Sequence, residues 1–108
     1  MNFRDSKKPK NDDNKMTSVR LSVNGKVQGV YFRFNMQKIA IKNSVVGWVR
    51  NLDDGSVEAV LEGNKDDVEK TIEWSKKGPE NARVDNLKID YLQYGGKFAD
   101  FVILHDDS

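Results

Sequence analysis

The stretch GKVQGVYFR, Gly25 to Arg33, joins two segments whose apolar residues repeat with different periods. Upstream, apolar and polar residues alternate from Ser18 to Val27, which predicts a half-buried β-strand. Downstream, apolar residues recur at the spacing of one helix face and predict a helix that ends near Asn43, with an inward face of Phe32, Met36, Ile39 and Ala40 widened by Phe34 and Ile41. The stretch is therefore predicted to be a strand-to-helix connection, so that the fold begins with a β-α unit.

The rest of the chain contains further strand patterns and one more helix pattern. Strands are predicted over 45–50, 57–62, 84–94 and 98–103, and a helix is predicted over 66–77. Asp54-Gly55 marks a tight hairpin between the second and third strands, so these two strands should pair antiparallel. The resulting order, β-α-β-β-α-β with a short final strand, is that of the ferredoxin-like sandwich, an α+β fold with two helices on one face of an antiparallel sheet.

The composition limits the functions that these 108 residues can have. The length suits one domain, and the net charge of +1 provides no strong field that would attract nucleic acid or an anionic membrane. The absence of cysteine excludes disulfides, thiol catalysis and thiolate metal sites. The apolar runs are shorter than a membrane span, and the first residues lack the apolar core of a secretory signal. We therefore expect a cytoplasmic protein and, by default, a monomer.

Both ends of the chain differ from the patterned segment between them. We predict a disordered tail over 1–16, a folded domain over 17–104 and a flexible end over 105–108. The basic cluster at 7–10 can be interpreted as an arm for nucleic acid or another partner, but a solvating tail is the simpler interpretation. Met16 is an alternative start to Met1. His105, beside two aspartates, could belong to a metal site, but a polar terminus is the simpler interpretation.

An arginine at the start of the predicted first helix, Arg33, is unfavourably placed, because the exposed N–H groups there carry a partial positive charge. A bound anion would remove this repulsion. The backbone N–H groups from Gln28 to Phe32 can converge on a phosphate, Gly29 lets the backbone bend, and the guanidinium matches two phosphate oxygens. The alternative is an ordinary turn in which Arg33 reaches solvent or pairs with a carboxylate such as Asp53. The residues alone leave both interpretations open.

The opening stretch is followed by GWVRN at 47–51 and by DGSV at 54–57. Together and in this order, these motifs resemble the two signatures of the acylphosphatase family. The resemblance extends from Ser18 to Leu104, and its further matches are Glu62-Gly63, Gly78-Pro79, Ala82-Arg83-Val84 and Phe98-x-x-Phe101. It identifies 17–104 as an acylphosphatase-like domain.

The resemblance implies an enzyme that hydrolyses the carboxyl–phosphate bond of a small-molecule acyl phosphate to a carboxylate and inorganic phosphate, with no metal or cofactor. By position, Asn51 would hold the attacking water, and Arg33 would hold the phosphate with the backbone N–H groups of Gln28, Gly29, Val30, Tyr31 and Phe32. An amide orients water without placing negative charge beside an anionic substrate, whereas an aspartate would repel that substrate. Leu52 departs from the family, in which a hydroxyl residue often follows the asparagine, and this change could lower activity without abolishing it.

Two other classes of function compete with an enzyme. An RNA-binding module on the same fold is disfavoured, because no strand has the aromatic pattern of an RNA-recognition domain and the near-neutral chain offers no basic face. A catalytically weak or idle relative that binds phosphate or an acyl phosphate would have the same motifs, and only turnover distinguishes it from an enzyme. Nothing obvious in the sequence selects the acyl group, so small acyl phosphates of many kinds are compatible with it.

Overall fold

The computed structural model describes residues 15–105 and confirms every predicted element, with bounds that agree within three residues. The elements in chain order are β1 (Met16–Lys26), α1 (Phe32–Lys42), β2 (Val46–Asn51), β3 (Val57–Asn64), α2 (Lys65–Lys77), β4 (Arg83–Leu92) and β5 (Phe101–Ile103). The predicted tail, apart from its last two residues, and the predicted end beyond His105 lie outside the described residues. Over the described range, neither helix is long and apolar enough to cross a membrane.

The five strands form one sheet in the order β4-β1-β3-β2-β5. The pairs β1/β3, β1/β4 and β2/β3 are antiparallel, whereas β5 lies parallel to β2 and makes the sheet mixed. The parallel pair arises because β4 and β5 occupy opposite edges, and residues 93–100 carry the chain from one edge to the other. On the way, the Gly95 N–H donates to Glu62 Oε2 in β3, 3.3 Å away. The prediction of antiparallel pairing therefore holds for four strands and not for the short last one.

β1 begins two residues before the predicted strand. The reason is that β3 continues two residues beyond its predicted end, and these extra residues pair with the start of β1. Met16 lies opposite Asn64, the last residue of β3. Immediately beyond this pair, the Lys65 N–H donates to the Lys15 carbonyl, 3.0 Å away. The paired sheet thus includes Met16, which the predicted boundary assigned to the tail.

Both helices pack on one face of the sheet and enclose the core between helices and sheet. The side chains of α1 that face the sheet are Phe32, Met36 and Ala40, and each is at most 1% exposed. Phe34 and Ile41, which were expected to widen this face, are 52% and 62% exposed. They lie off the stripe of α1 that contacts the sheet, so this expectation is wrong.

The second helix is closed at both ends by local interactions. The Asn64 side chain accepts a hydrogen bond from the Asp66 N–H at 2.9 Å and caps the N-terminus. At the C-terminus, Gly78 has a φ of 74°, and a Cβ there would lie 2.7 Å from Phe32 Cε2. The Phe32 ring also packs on Trp74 of α2, with 5.3 Å between ring centroids. The glycine therefore lets α2 end directly against the first residue of α1.

Replacing Gly78 with alanine should lower the free energy of unfolding by about 2–4 kcal/mol, because a Cβ strains a left-handed backbone and collides with Phe32. Gly55→Ala is the matched control, since Gly55 has a φ of 94° and open space around its Cβ position. It should lose only about 1 kcal/mol to backbone strain. Urea unfolding followed by circular dichroism measures both losses. Equal losses in the two variants would contradict the close packing of Gly78 on Phe32.

Candidate active site

The connection between β1 and α1 bends at two residues with positive φ. Gly29 has a φ of 76°, and Tyr31 has a φ of 64° and a ψ of 26°, which is the left-handed region. Val27 and Val30 are buried and anchor the connection to the core. The backbone N–H groups of 28–31 donate no hydrogen bond to any residue between 15 and 105. The turn is thus fixed by packing, while its N–H groups can be used by a ligand.

α1 begins without the features that usually satisfy a helix N-terminus. Its N-cap residue, Tyr31, makes no side-chain cap, and the first turn contains no acidic residue. The Tyr31 carbonyl accepts hydrogen bonds from the Asn35 N–H and from Asn35 Nδ2, at 3.0 and 2.9 Å, which closes the first turn. In contrast, α2 has Asp66 and Asp67 in its first turn. The positive end of α1 is therefore uncompensated by the described part of the chain.

Arg33, the second residue of α1, lines a cavity of about 360 Å³ beside the connection. Its guanidinium makes no ion pair or hydrogen bond with any residue from 15 to 105. The ion pair between Arg33 and Asp53, which the sequence left open, is therefore not formed. The described lining contains no acidic side chain and consists of Val27, Gly29, Tyr31, Phe32, Arg33, Phe34, Asn51, Ile103 and His105. A half-buried cation next to a helix N-terminus, with no carboxylate among the described lining residues, favours an anionic ligand.

Asn51 reaches the same cavity from the end of β2. Its place is fixed by the β2/β3 pairing, in which it lies opposite Val57. Its side-chain Oδ1 is buried and accepts no hydrogen bond from any residue that the structure describes. Leaving a buried amide oxygen without a hydrogen bond costs about 1–3 kcal/mol of stability. The Asn51 oxygen is therefore suited to accept a hydrogen bond from a ligand or a water. Leu52, the departure from the family pattern, brings no polar side chain next to Asn51.

The Gln28 side chain connects the two parts of the site. Its Nε2 donates to the carbonyl oxygens of Leu52, at 2.8 Å, and Ser56, at 2.9 Å, which are the two ends of the β2–β3 turn. The Leu52 N–H donates to Ser56 O across this turn. Asp54 Oδ1 accepts from the Ser56 hydroxyl and N–H, and these two bonds lower the pKa of the Asp54 carboxyl. The motif predicts a role only for the backbone N–H of Gln28, and no pattern in the sequence indicates this side-chain contact.

The last strand adds residues that the sequence analysis did not place in the site. β5 pairs with β2 so that Ile103 lies beside Val49, and the Leu104 N–H donates to the Val49 carbonyl at 2.9 Å. Ile103 and His105 consequently line the same cavity. The sequence indicated only a polar terminus at His105 and did not predict that this residue lines the cavity. A three-residue parallel strand has no periodicity that would reveal its neighbours.

The site residues predicted from the sequence do not all reach the cavity. Gly29, Tyr31 and Phe32 line it together with the two predicted catalytic residues, whereas the Val30 side chain is buried and the Gln28 side chain is directed to the hairpin. A larger concavity of about 560 Å³ lies between α2 and β4 and contains none of the predicted site residues. Within 15–105, no group of three or more histidine, aspartate or glutamate side chains is placed to hold a metal ion.

Comparisons with known proteins agree with the geometry. The sequence model described as Acylphosphatase matches residues 19–103. The chain is 54% identical over 92 residues to an acylphosphatase of Pyrobaculum islandicum, and the match covers 82% of this chain and 97% of that protein. It is 49% identical over 90 residues to an acylphosphatase of Pyrobaculum aerophilum, and that match covers 82% of this chain and 95% of that protein.

The structural comparison gives the same answer. The solved structure of an acylphosphatase from Coxiella burnetii superimposes on the chain with a TM-score of 0.81 and 33% identity. The match covers 89% of this chain and 100% of that one, so the whole fold is shared rather than a part of it. The chain therefore belongs to the acylphosphatase family of acyl phosphate hydrolases.

Proposed function

We propose that Arg33, Asn51 and the backbone N–H groups of Gln28 to Phe32 perform the hydrolysis of an acyl phosphate. One observation carries this proposal. A guanidinium without a partner in 15–105, an uncompensated helix N-terminus and a buried amide oxygen without a described partner meet at one cavity. The first two favour a phosphate, and the third can accept a hydrogen bond from water. A phosphate and one water molecule together satisfy all three.

The phosphate is bound by charge and by geometry. The planar guanidinium of Arg33 can donate to two phosphate oxygens at once, which fixes their orientation as well as their charge. The N–H groups of the connection donate to the same group, and the dipole of α1 adds to their field. These donors are held by the buried Val27 and Val30, so they need little reorganisation during the reaction.

The Asn51 amide holds the water, with Oδ1 accepting one of its hydrogens. As the bond from the water oxygen to phosphorus forms, the bond from phosphorus to the acyl oxygen breaks, and its electron pair leaves on the carboxylate. The proton of the water passes to a phosphoryl oxygen, which gives a carboxylate and dihydrogen phosphate. The transition state of such transfers is loose and a carboxylate leaves readily, so the proposal assigns no protein group as a strong base or acid.

The substrate, the oligomeric state and the partners of the protein belong to the same proposal. We infer a small-molecule acyl phosphate as the substrate and a monomer as the active form. The near-neutral charge of +1 supports the absence of a nucleic-acid or membrane partner. The cytoplasmic location stays the prediction that was made from the sequence.

Arg33→Ala should reduce kcat/KM for an aromatic acyl phosphate by about 10³-fold, because the charge and the two donors that face the phosphate are lost. The assay contains a metal chelator, so that trace metal does not contribute. Arg83→Ala is the matched control, since Arg83 is exposed, pairs with Asp85 at 2.8 Å and does not line the cavity. Full activity of Arg33→Ala would contradict the assignment. Phosphate binding without turnover by the wild type would instead support the catalytically idle relative.

Two substitutions of Asn51 separate water binding from charge. Asn51→Ala should lower kcat by about 10²-fold or more and leave the inhibition constant of inorganic phosphate nearly unchanged, because only the water is lost. Asn51→Asp keeps the shape but adds a negative charge at pH 7, so it should also weaken phosphate inhibition by about 10-fold. That weakening should diminish as the pH falls below about 4, where an ordinary aspartate carboxyl is mostly protonated. Equal phosphate inhibition in both variants at pH 7 would contradict the placement of Asn51 beside the phosphate.

Two substitutions of Gln28 test the link between the connection and the hairpin. Gln28→Ala should lower kcat more than it raises KM, because the Asn51 end of β2 is no longer held against the connection. The loss of stability should be about 1 kcal/mol per hydrogen bond or less. Gln28→Glu should be more damaging, since a carboxylate would face the carbonyl oxygens of Leu52 and Ser56. Wild-type kinetics in Gln28→Glu would show that this contact does not position the site.

A further inference from the structure

Two exposed aromatic side chains lie beside the cavity of Arg33. Tyr31 is 76% exposed and Phe34 is 52% exposed, and both line that cavity. Both lie at the start of α1, so the same backbone that forms the connection fixes their positions. Lys38 Nζ lies 5.5 Å from the centroid of the Phe34 ring, a cation–π distance that favours this orientation of the ring. Exposed aromatic groups at the rim of a cavity are typical of ligand contacts.

The direction of the reaction indicates which part of the substrate meets these rings. In-line displacement places the attacking water and the departing acyl oxygen on opposite sides of phosphorus. In the proposed function Asn51 holds the water, and Asn51 reaches the cavity from the sheet, as does Ile103 because β5 pairs with β2. The acyl group therefore leaves toward the helix side, which Tyr31 and Phe34 line.

We propose that Tyr31 and Phe34 form an acyl subsite, and that the protein prefers acyl phosphates with an aromatic or another flat apolar acyl group over those with a group as small as acetyl. This inference rests on the proposed function, because the phosphate on Arg33 determines where the acyl group lies. A phenyl ring against two aromatic side chains removes apolar surface from water, and aromatic pairs gain further from their ring geometry. A methyl group offers much less apolar surface for burial against the two rings.

Two stable analogues test the subsite without turnover. In 2-oxo-2-phenylethylphosphonate and 2-oxopropylphosphonate, a methylene replaces the bridging oxygen and only the acyl-side group differs. Isothermal titration calorimetry should show the phenyl compound binding about 5- to 20-fold more tightly to the wild type. Phe34→Ala should reduce this ratio to about 3 or less, and Phe34→Leu should give an intermediate ratio. Ile41→Ala is the matched control, since Ile41 is 62% exposed on the same helix but does not line the cavity, and it should keep the wild-type ratio.

Equal affinities for the two phosphonates, no binding of either, or a ratio that Phe34→Ala leaves unchanged would overturn the subsite. Hydrolysis of acetyl phosphate is measured on the same preparations, so that the subsite and the proposed function can fail separately. Hydrolysis without a phenyl preference overturns the subsite and keeps the proposed function. A phenyl preference that depends on Phe34, without hydrolysis, supports the subsite and overturns the proposed function.

Discussion

The antiparallel pairing of β1 with β3 brings together the two halves of the candidate active site. In this register Val23 lies opposite Val57, and this is the last pair of the two strands before β1 continues toward the connection and β3 is preceded by the β2–β3 turn. Five residues beyond Val23 the chain reaches Gln28, and five residues before Val57 it reaches Leu52. The two segments remain close there, because the Gln28 amide donates to the Leu52 carbonyl. A slip by one residue would turn the inward side chains of β1 to the other face, so burial of the core also fixes the site.

The two helices differ in ways that follow from the site. α2 has an asparagine cap, aspartates in its first turn and lysines in its last, all of which stabilise a helix. α1 begins with an uncapped residue in the left-handed region, a conformation that costs about 1–2 kcal/mol, and has Arg33 in its first turn. The burial of Phe32, Met36 and Ala40 offsets these penalties. A bound phosphate would satisfy the same groups and would therefore stabilise the folded state as well.

The sequence predicts those features that arise from local patterns or from the two motifs. Local patterns predict the alternation in β1, the inward face of α1 and the Asp54-Gly55 turn. The two motifs predict that Arg33 and Asn51 lie at one cavity. The hydrogen bonds of Gln28 were not predictable, because their acceptors are backbone carbonyls 24 and 28 residues away, which no side-chain pattern reveals. Phe34 shows another limit: an apolar residue beside a helix face has the same pattern whether it enters the core or lines a cavity.

The sheet-side wall of the cavity depends on the shortest strand. β5 has three residues, and it is held by the buried Phe101, whose carbonyl accepts a hydrogen bond from Gln37 Nε2 of α1 at 3.0 Å. The connection that precedes it is tied to β3 through Glu62, whose Oε1 is buried without a partner among the described residues. Because Gln37 belongs to the helix that begins at the proposed phosphate site, β5 is joined directly to that helix. The wall that contains Ile103 and the helix that contains Arg33 are thus linked through the Phe101 carbonyl, although residues 93–100 separate β5 from β4 along the chain.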